Sequence, residues 1–206
     1  VAGFSNTGFL ALLPVYAEQA ASGNTAETAA MLMAAAFIGG VISQFPAGLL
    51  SDKIDRRLVI AGMGIISGIA AIALMFLESG PGEWLTLSLL GLWGAGALSF
   101  YGLCVAHAAD RCEPEKIARM LSGLLFVWAT GSVIGPIVFG AVMSLPTGTQ
   151  GLFILEAAIG FLLAFAMIYR RTARAPVVEE DRESFEPVLP TSVTAVDIDT
   201  RSAESN

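Results

Sequence analysis

Charge falls along this chain in bursts separated by long apolar runs. From Thr28 to Ser51 there are 24 residues without a charge, and from Leu58 to Leu77 another 20. Between these runs, Asp52, Lys53, Asp55, Arg56 and Arg57 occupy five of six consecutive positions. Apolar runs broken by turn residues recur six times, over about 1–20, 26–50, 58–77, 83–109, 115–144 and 150–169. A bilayer core needs about 20 apolar residues per helix, and these runs reach that length. The separators "ASGNTAE", "SDKIDRR", "ESGPGE", "DRCEPEK" and "LPTGTQ" are long enough only to turn the chain, so consecutive helices are expected as antiparallel neighbours. No segment has the alternation of a membrane barrel strand, and the Gly-rich runs suit close helix packing in lipid. The pattern predicts an all-α integral membrane protein, a six-helix transmembrane bundle over residues 1–170.

Composition agrees with this reading. The chain is 55% hydrophobic and 14% charged, against about 25% charged in soluble domains, and its mean hydropathy is +0.71. The placement of the basic residues adds an orientation. Lys53, Arg56 and Arg57 lie in the second loop, and Arg111, Lys116 and Arg119 flank the fourth. Arg170, Arg171, Arg174, Arg182 and Arg201 follow the sixth span, completing all 11. A six-span serpentine puts these three regions on one side. The remaining loops carry only acids, such as Glu18, Glu27, Glu78 and Glu83. By the positive-inside rule the basic side is cytoplasmic, which predicts a multi-pass membrane protein with its C-terminal tail in the cytoplasm. Residues 172–206 hold eight acids and three Arg, a net of −5 out of the chain's −7. Such a segment buries too little apolar surface to fold alone, so 171–206 is expected to be an acidic, disordered cytoplasmic tail. The opening at Val1 has no basic n-region and does not fit a signal peptide. The expectation is a piece of a longer protein.

The charged turn also carries a motif. "GLLSDKIDRR", 48–57, resembles the loop signature of the major facilitator superfamily, Gly-x-x-x-Asp-Arg/Lys-x-Gly-Arg-Arg/Lys, which joins two consecutive spans. Gly48, Asp52, Lys53, Arg56 and Arg57 match it, and Asp55 stands where the second Gly is usual. "QFPAGLLSDKIDRR" and "AHAADR" are similar to segments of a bacterial branch of predicted permeases. "GSVIGPIVFG", Gly131 to Gly140, resembles the Gly-x-x-x-Gly-Pro signature that drug–proton antiporters carry on span 5. The family has twelve spans, with the loop signature between spans 2 and 3 and a copy between 8 and 9. A motif after the second span here, with four spans to follow, corresponds to the second copy. The resemblance therefore implies spans 7 to 12, with an N-terminal six-span half of the same protein as partner. It also implies that Asp52, Arg56 and Asp110 form a charge cluster at partly exposed helix ends, which latches the cytoplasmic side and breaks when the halves rock. Without the resemblance, the same residues read as topology charges.

Polar and aromatic residues inside the spans mark further positions, because polar groups are costly in a membrane. Asn6 and Gln44 fit either a substrate cavity or helix–helix hydrogen bonds. Trp93, Phe100 and His107 recur every seven residues on one face of the fourth span, with Tyr101 beside them. By the resemblance that span lines the cavity, although aromatic stripes at this spacing more often pack. His107 can carry a proton, but it lies three residues from Asp110 at contact spacing, which favours an interfacial His–Asp pair. Glu156, about 9 Å inside the sixth span, is a second possible proton site or a packed or interfacial acid.

Other chemistry is disfavoured. There is no Gly-Lys-Ser/Thr phosphate loop for ATP-driven pumping, no Ser–His–Asp grouping, and only one histidine. Cys104 sits within the fourth span and Cys112 in a loop where thiols stay reduced, without zinc or redox spacing. No enzyme activity, metal, cofactor or nucleic-acid partner is expected. The expected function is secondary transport of a small solute by alternating access, with protons as coupling ion. The alternatives are a transport-inactive receptor or scaffold with the same fold, and a half-transporter that pairs with itself.

Overall fold

The computed structural model describes residues 1–20, 24–77, 80, 82–110 and 112–173, and among them there is no strand. Seven helices follow one another: α1 (Ala2–Ala20), α2 (Thr25–Lys53), α3 (Arg56–Met75), α4 (Trp84–Ala97), α5 (Phe100–Ala109), α6 (Ile117–Met143) and α7 (Gln150–Ala173). The expected tail lies, from residue 174 onward, outside the described residues. Five rods are long and apolar enough to cross a membrane, namely α2, α3, α4 with α5, α6 and α7. Helix α1, which carries Ser5, Asn6, Thr7 and Glu18, is not among the five. The protein is an all-α membrane bundle.

Local chemistry sets the helix ends. Asn24 accepts from the Glu27 backbone N–H at 3.4 Å and starts α2. The next boundary is tighter, because Ile54 N–H still closes on the Leu50 carbonyl at 3.0 Å while Asp55 caps α3 by accepting from Arg57 N–H at 3.0 Å. Such a cap satisfies one of the donors that every helix start leaves open. Asp55 replaces the usual Gly of the motif and gives α3 its N-cap.

Helices α4 and α5 form one rod, Trp84–Ala109. Leu98 and Ser99 keep helical backbone angles, with φ of −77° and −78°. Ser43 on α2 bonds the Ala95 carbonyl at 2.7 Å and the Ser99 hydroxyl at 2.8 Å. The junction is therefore tied to the neighbouring helix.

The bundle is built from close helix pairs: α1 against α6, α2 against α4, and α3 against both α4 and α7. Glycine allows the approach. Gly94 on α4 lies against the Ala36 carbonyl of α2, and Gly135 on α6 against the Phe4 carbonyl of α1. A Cβ on Gly160 of α7 would stand 2.6 Å from the Gly64 carbonyl oxygen of α3. In lipid, where burying apolar surface gains little, such backbone approach is what holds helices together. At the centre, Phe9 packs on Trp93 with ring centroids 4.1 Å apart and on Phe153 at 6.0 Å. Outward, α2 exposes Ile38, Ile42 and Phe45, and α6 exposes Phe126, Val127, Val133 and Ile137. This apolar exterior suits a bilayer or another apolar surface.

Candidate functional site

At one end of the bundle the C-termini of α2, α5 and α7 converge on the N-terminus of α3. Arg56 is at the centre, only 2% exposed. Its Nε lies 2.8 Å from Asp110 Oδ2, its Nη2 3.3 Å from Asp52 Oδ1, and its Nη1 donates to Ser51 Oγ at 3.2 Å. Ser51 in turn donates to the carbonyl of the buried Gly48 at 2.7 Å. One guanidinium thus ties α2, α3 and α5 together, as its planar fork of donors permits. The structure brings Asp52, Arg56 and Asp110 into contact. It also corrects one expectation: the Arg56 side chain is 2% exposed and that of Asp110 4%, and only Asp52, at 28%, is partly open to solvent.

Arg57 has a different task. Its Nη1 donates to the Arg170 carbonyl at 2.9 Å, anchoring the last turn of α7, and its Nε meets Asp55 Oδ1 at 3.2 Å. Arg171 approaches the other Asp55 oxygen at 3.9 Å. Burial pushes the Asp55 carboxyl up. Hydrogen bonds from the Arg57 backbone and side chain, with the charges of Arg57 and Arg171, outweigh it and leave Asp55 below the usual carboxylate value. Lys53 is exposed in the last turn of α2. His107 is half-buried in the last turn of α5.

A cavity of about 310 Å³ opens between α1, α2, α5 and α6. Asn6 and Thr7 face it from α1, Phe37 and Gln44 from α2, Tyr101 from α5 and Trp128 from α6. Leu10, Gly40, Val41 and Leu98 complete the lining, which contains no Asp, Glu, Lys, Arg or His. Tyr101 and Trp128 meet edge to face, with centroids 6.3 Å apart. Asn6 is 8% exposed and its Oδ1 has no hydrogen-bond partner. Of the five residues expected in a cavity, Asn6, Gln44 and Tyr101 line this one. Trp93 and Phe100, 0% and 1% exposed, are instead packed in the core.

Glu156 is fully buried. One oxygen, Oε1, accepts from Ser5 Oγ at 2.6 Å and from Trp93 Nε1 at 3.0 Å. The carboxyl therefore joins α1, α4 and α7 within the bundle. It is absent from the cavity lining, although Ser5 is the chain neighbour of Asn6.

The family model for the Major Facilitator Superfamily matches residues 1–200. The chain belongs to the major facilitator superfamily. Relatives named "Uncharacterized MFS-type transporter YcaD", from Salmonella paratyphi B, Salmonella newport and Salmonella heidelberg, are each 26% identical to it over 165 residues. Each match covers 80% of this chain and 41% of the relative, so the chain spans less than half the length of the curated relatives it matches. No solved structure gives a match. This superfamily chain is a multi-pass integral membrane protein whose all-α bundle carries the loop signature at its charged end.

Ser5, Ser51, Thr7, Phe37 and Trp128 were not singled out by sequence reasoning. A signal for Trp128 was present. Gly131 lies three residues further along α6, and a Cβ there would stand 2.8 Å from the Phe4 backbone nitrogen. Residues three apart share a helix face, so the Gly131–Gly135 seam turns Trp128 towards α1. In this chain the Gly-x-x-x-Gly-Pro stretch is the contact surface between α1 and α6.

Proposed function

We propose that the chain is the C-terminal half of a secondary transporter that moves a small solute by alternating access. The observation that carries this reading is the Arg56 node, where a single buried guanidinium holds α2, α3 and α5 through Asp52 and Asp110. Charges clustered at helix ends can be parted by a rigid-body movement. A change of about 1.4 kcal/mol in their relative stability shifts a two-state population tenfold. The solute binds in the Asn6–Gln44–Tyr101 cavity, against a wall supplied by an N-terminal six-span half. The charged end faces the cytoplasm of a bacterial inner membrane, in keeping with its basic residues. Protons are the coupling ion, and Glu156 is favoured as their site over His107, because its carboxyl touches both α1 and α4.

The experiment uses the full-length protein in intact cells and in proteoliposomes. With Gln44→Cys as reporter, Asp52→Asn should raise maleimide labelling from the charged side and lower solute counterflow, with normal expression. Unchanged labelling and unchanged counterflow would leave the motif as a topology signal only. A correctly folded protein that moves no solute down any imposed gradient would instead favour a receptor or scaffold.

A further inference from the structure

The two oxygens of Glu156 are bonded unequally. Oε1 accepts from Ser5 Oγ at 2.6 Å and from Trp93 Nε1 at 3.0 Å, whereas Oε2 is buried without a hydrogen-bond partner. Ser5, Trp93 and Glu156 are each without exposure, and all three belong to this chain. Their arrangement therefore does not depend on residues outside it. Among the described residues no ion pair includes Glu156. An ionised carboxyl in this place has one oxygen unmatched, which is costly in an apolar interior. Packing alone needs only the one acceptor that Ser5 and Trp93 use, and it leaves the second oxygen without an explanation.

We infer that the proton on Glu156 sits on Oε2, and that Ser5 and Trp93 are the positioning residues that place it there. The inference rests on the reading of Glu156 as the proton site and deepens it. A serine hydroxyl can turn and accept, so Ser5 alone does not distinguish the two oxygens. The indole does, because its N–H can only donate. In a neutral acid the carbonyl oxygen is the better acceptor, so the oxygen that takes both bonds is the carbonyl. Oε2 is then the hydroxyl, the atom that gains and loses the proton. When the proton leaves, the same two donors stabilise the charge that remains. A proton on Oε1 would reverse the assignment, making Oε2 a carbonyl that receives no hydrogen bond.

The test is infrared difference spectroscopy of the full-length protein in lipid, recorded between acidic and alkaline buffer. The acid carbonyl stretch of Glu156 is the band that Glu156→Gln removes. Hydrogen bonds to a carbonyl oxygen lower its stretching frequency. Ser5→Ala and Trp93→Phe should therefore each shift the band to higher frequency, and the two combined should shift it further. Ser5→Cys keeps a weak donor and should fall between the parent and Ser5→Ala. A purely structural role would change stability in these variants and leave the band where it is. If Trp93→Phe does not fold, the two Ser5 variants decide, since the band reads the carbonyl oxygen directly.

A band left in place by either folded variant overturns the inference. So does the absence of any Glu156-dependent acid band in both buffers. The placement and the coupling role fail separately. If Glu156→Gln abolishes proton-driven solute accumulation while the band ignores Ser5 and Trp93, the proton site stands and its placement falls. If the band shifts as expected but Glu156→Gln leaves accumulation intact, the placement stands and the coupling role falls.

Discussion

Asp110 and Glu156 are both buried carboxyls, at opposite extremes of chemical surroundings. Asp110, its side chain 4% exposed at the end of α5, faces the Arg56 guanidinium at 2.8 Å. Glu156, with no exposure inside α7, accepts from two neutral donors, the Ser5 hydroxyl and the Trp93 indole, and among the described residues no ion pair includes it. The first carboxyl is matched by charge where helix ends meet. The second is matched by dipoles at Oε1 alone, its Oε2 being buried without a hydrogen-bond partner, where three helices are packed along their lengths. A charge-matched contact loses most when its partner is removed. A dipole-matched contact loses most when its acceptor oxygen is removed, whatever its charge. The two sites should therefore respond to opposite substitutions.

The largest effect is expected at Arg56. Arg56→Ala leaves Asp110 buried without its guanidinium, and breaking a buried pair from one side costs about 3–5 kcal/mol. Thermal unfolding of the full-length protein in detergent should show that loss, together with reduced yield. A variant as stable as the parent would mean that Asp110 is rehydrated on losing Arg56, and the contrast with Glu156 would lapse.

Next in size is Glu156. Glu156→Ala removes the acceptor of both Ser5 and Trp93 and leaves a void among α1, α4 and α7, for a combined cost of about 2–4 kcal/mol. Glu156→Gln keeps an oxygen in place and should cost about 1 kcal/mol or less. If Glu156 is the proton site, Glu156→Gln should nonetheless abolish proton-driven accumulation while sparing exchange. Equal destabilisation by Gln and Ala would show that the charge matters as much as the oxygen, which would erase the distinction drawn above.

The two sites also differ in how far they could be read in advance. Within the Arg56 cluster, Asp52 was legible because it is charged, close to Arg56 in sequence and flanked by uncharged runs, whereas Asp110, 54 residues away, was placed beside them only by the topology and the family resemblance. Asp52 and Arg56 are four residues apart across the turn from α2 to α3. What the sequence did not reveal was burial: that Arg56 is enclosed depends on α5 closing over it, and that Arg57 reaches Arg170 depends on α7. The Glu156 node was legible only as a lone acid, since Ser5 and Trp93 lie 151 and 63 residues away. Trp93 and Phe100 share a seven-residue spacing with a cavity stripe, but spacing gives a common face without saying what it faces. Here that face is turned to Phe9 and the core. The cavity was half legible for a similar reason. Asn6 and Gln44 stand out as amides in apolar spans, while Trp128 looks like any lipid-facing aromatic until the α1–α6 seam fixes its direction.

A smaller effect separates the two partners of Arg56. Asp52 is the more exposed, and Arg56 keeps Asp110 when Asp52 is changed, so Asp52→Asn should cost about 1 kcal/mol or less. Because both acids share one guanidinium, Asp52→Asn and Asp110→Asn combined should depart from additivity. A double-mutant cycle on unfolding stability measures this directly. Additive losses would mean that Arg56 serves the two acids independently and that the node is two separate pairs.

The smallest effect expected is at Asp55, where charge and dipole matching occur in one residue. Its Oδ1 caps α3 through the Arg57 N–H, and its carboxylate also faces the Arg57 and Arg171 side chains. Asp55→Asn keeps an oxygen for the cap and loses only the charge, so near neutral pH it should cost a few tenths of a kcal/mol. Its pH dependence is more telling than its size. The Asp55 carboxyl in the folded protein lies below its ordinary value of 3.8. A carboxyl depressed by folding stabilises the protein above that ordinary value, and the stabilisation is lost as pH falls through the folded value. The gap between parent and Asp55→Asn should therefore be constant from pH 5 to 8 and should close below about pH 4. Unfolding temperatures of both proteins, taken in one detergent across that range, measure it. A gap that persists in acid would place the residue's contribution in the cap alone, and Asp55 would then resemble Glu156 more closely than Asp110.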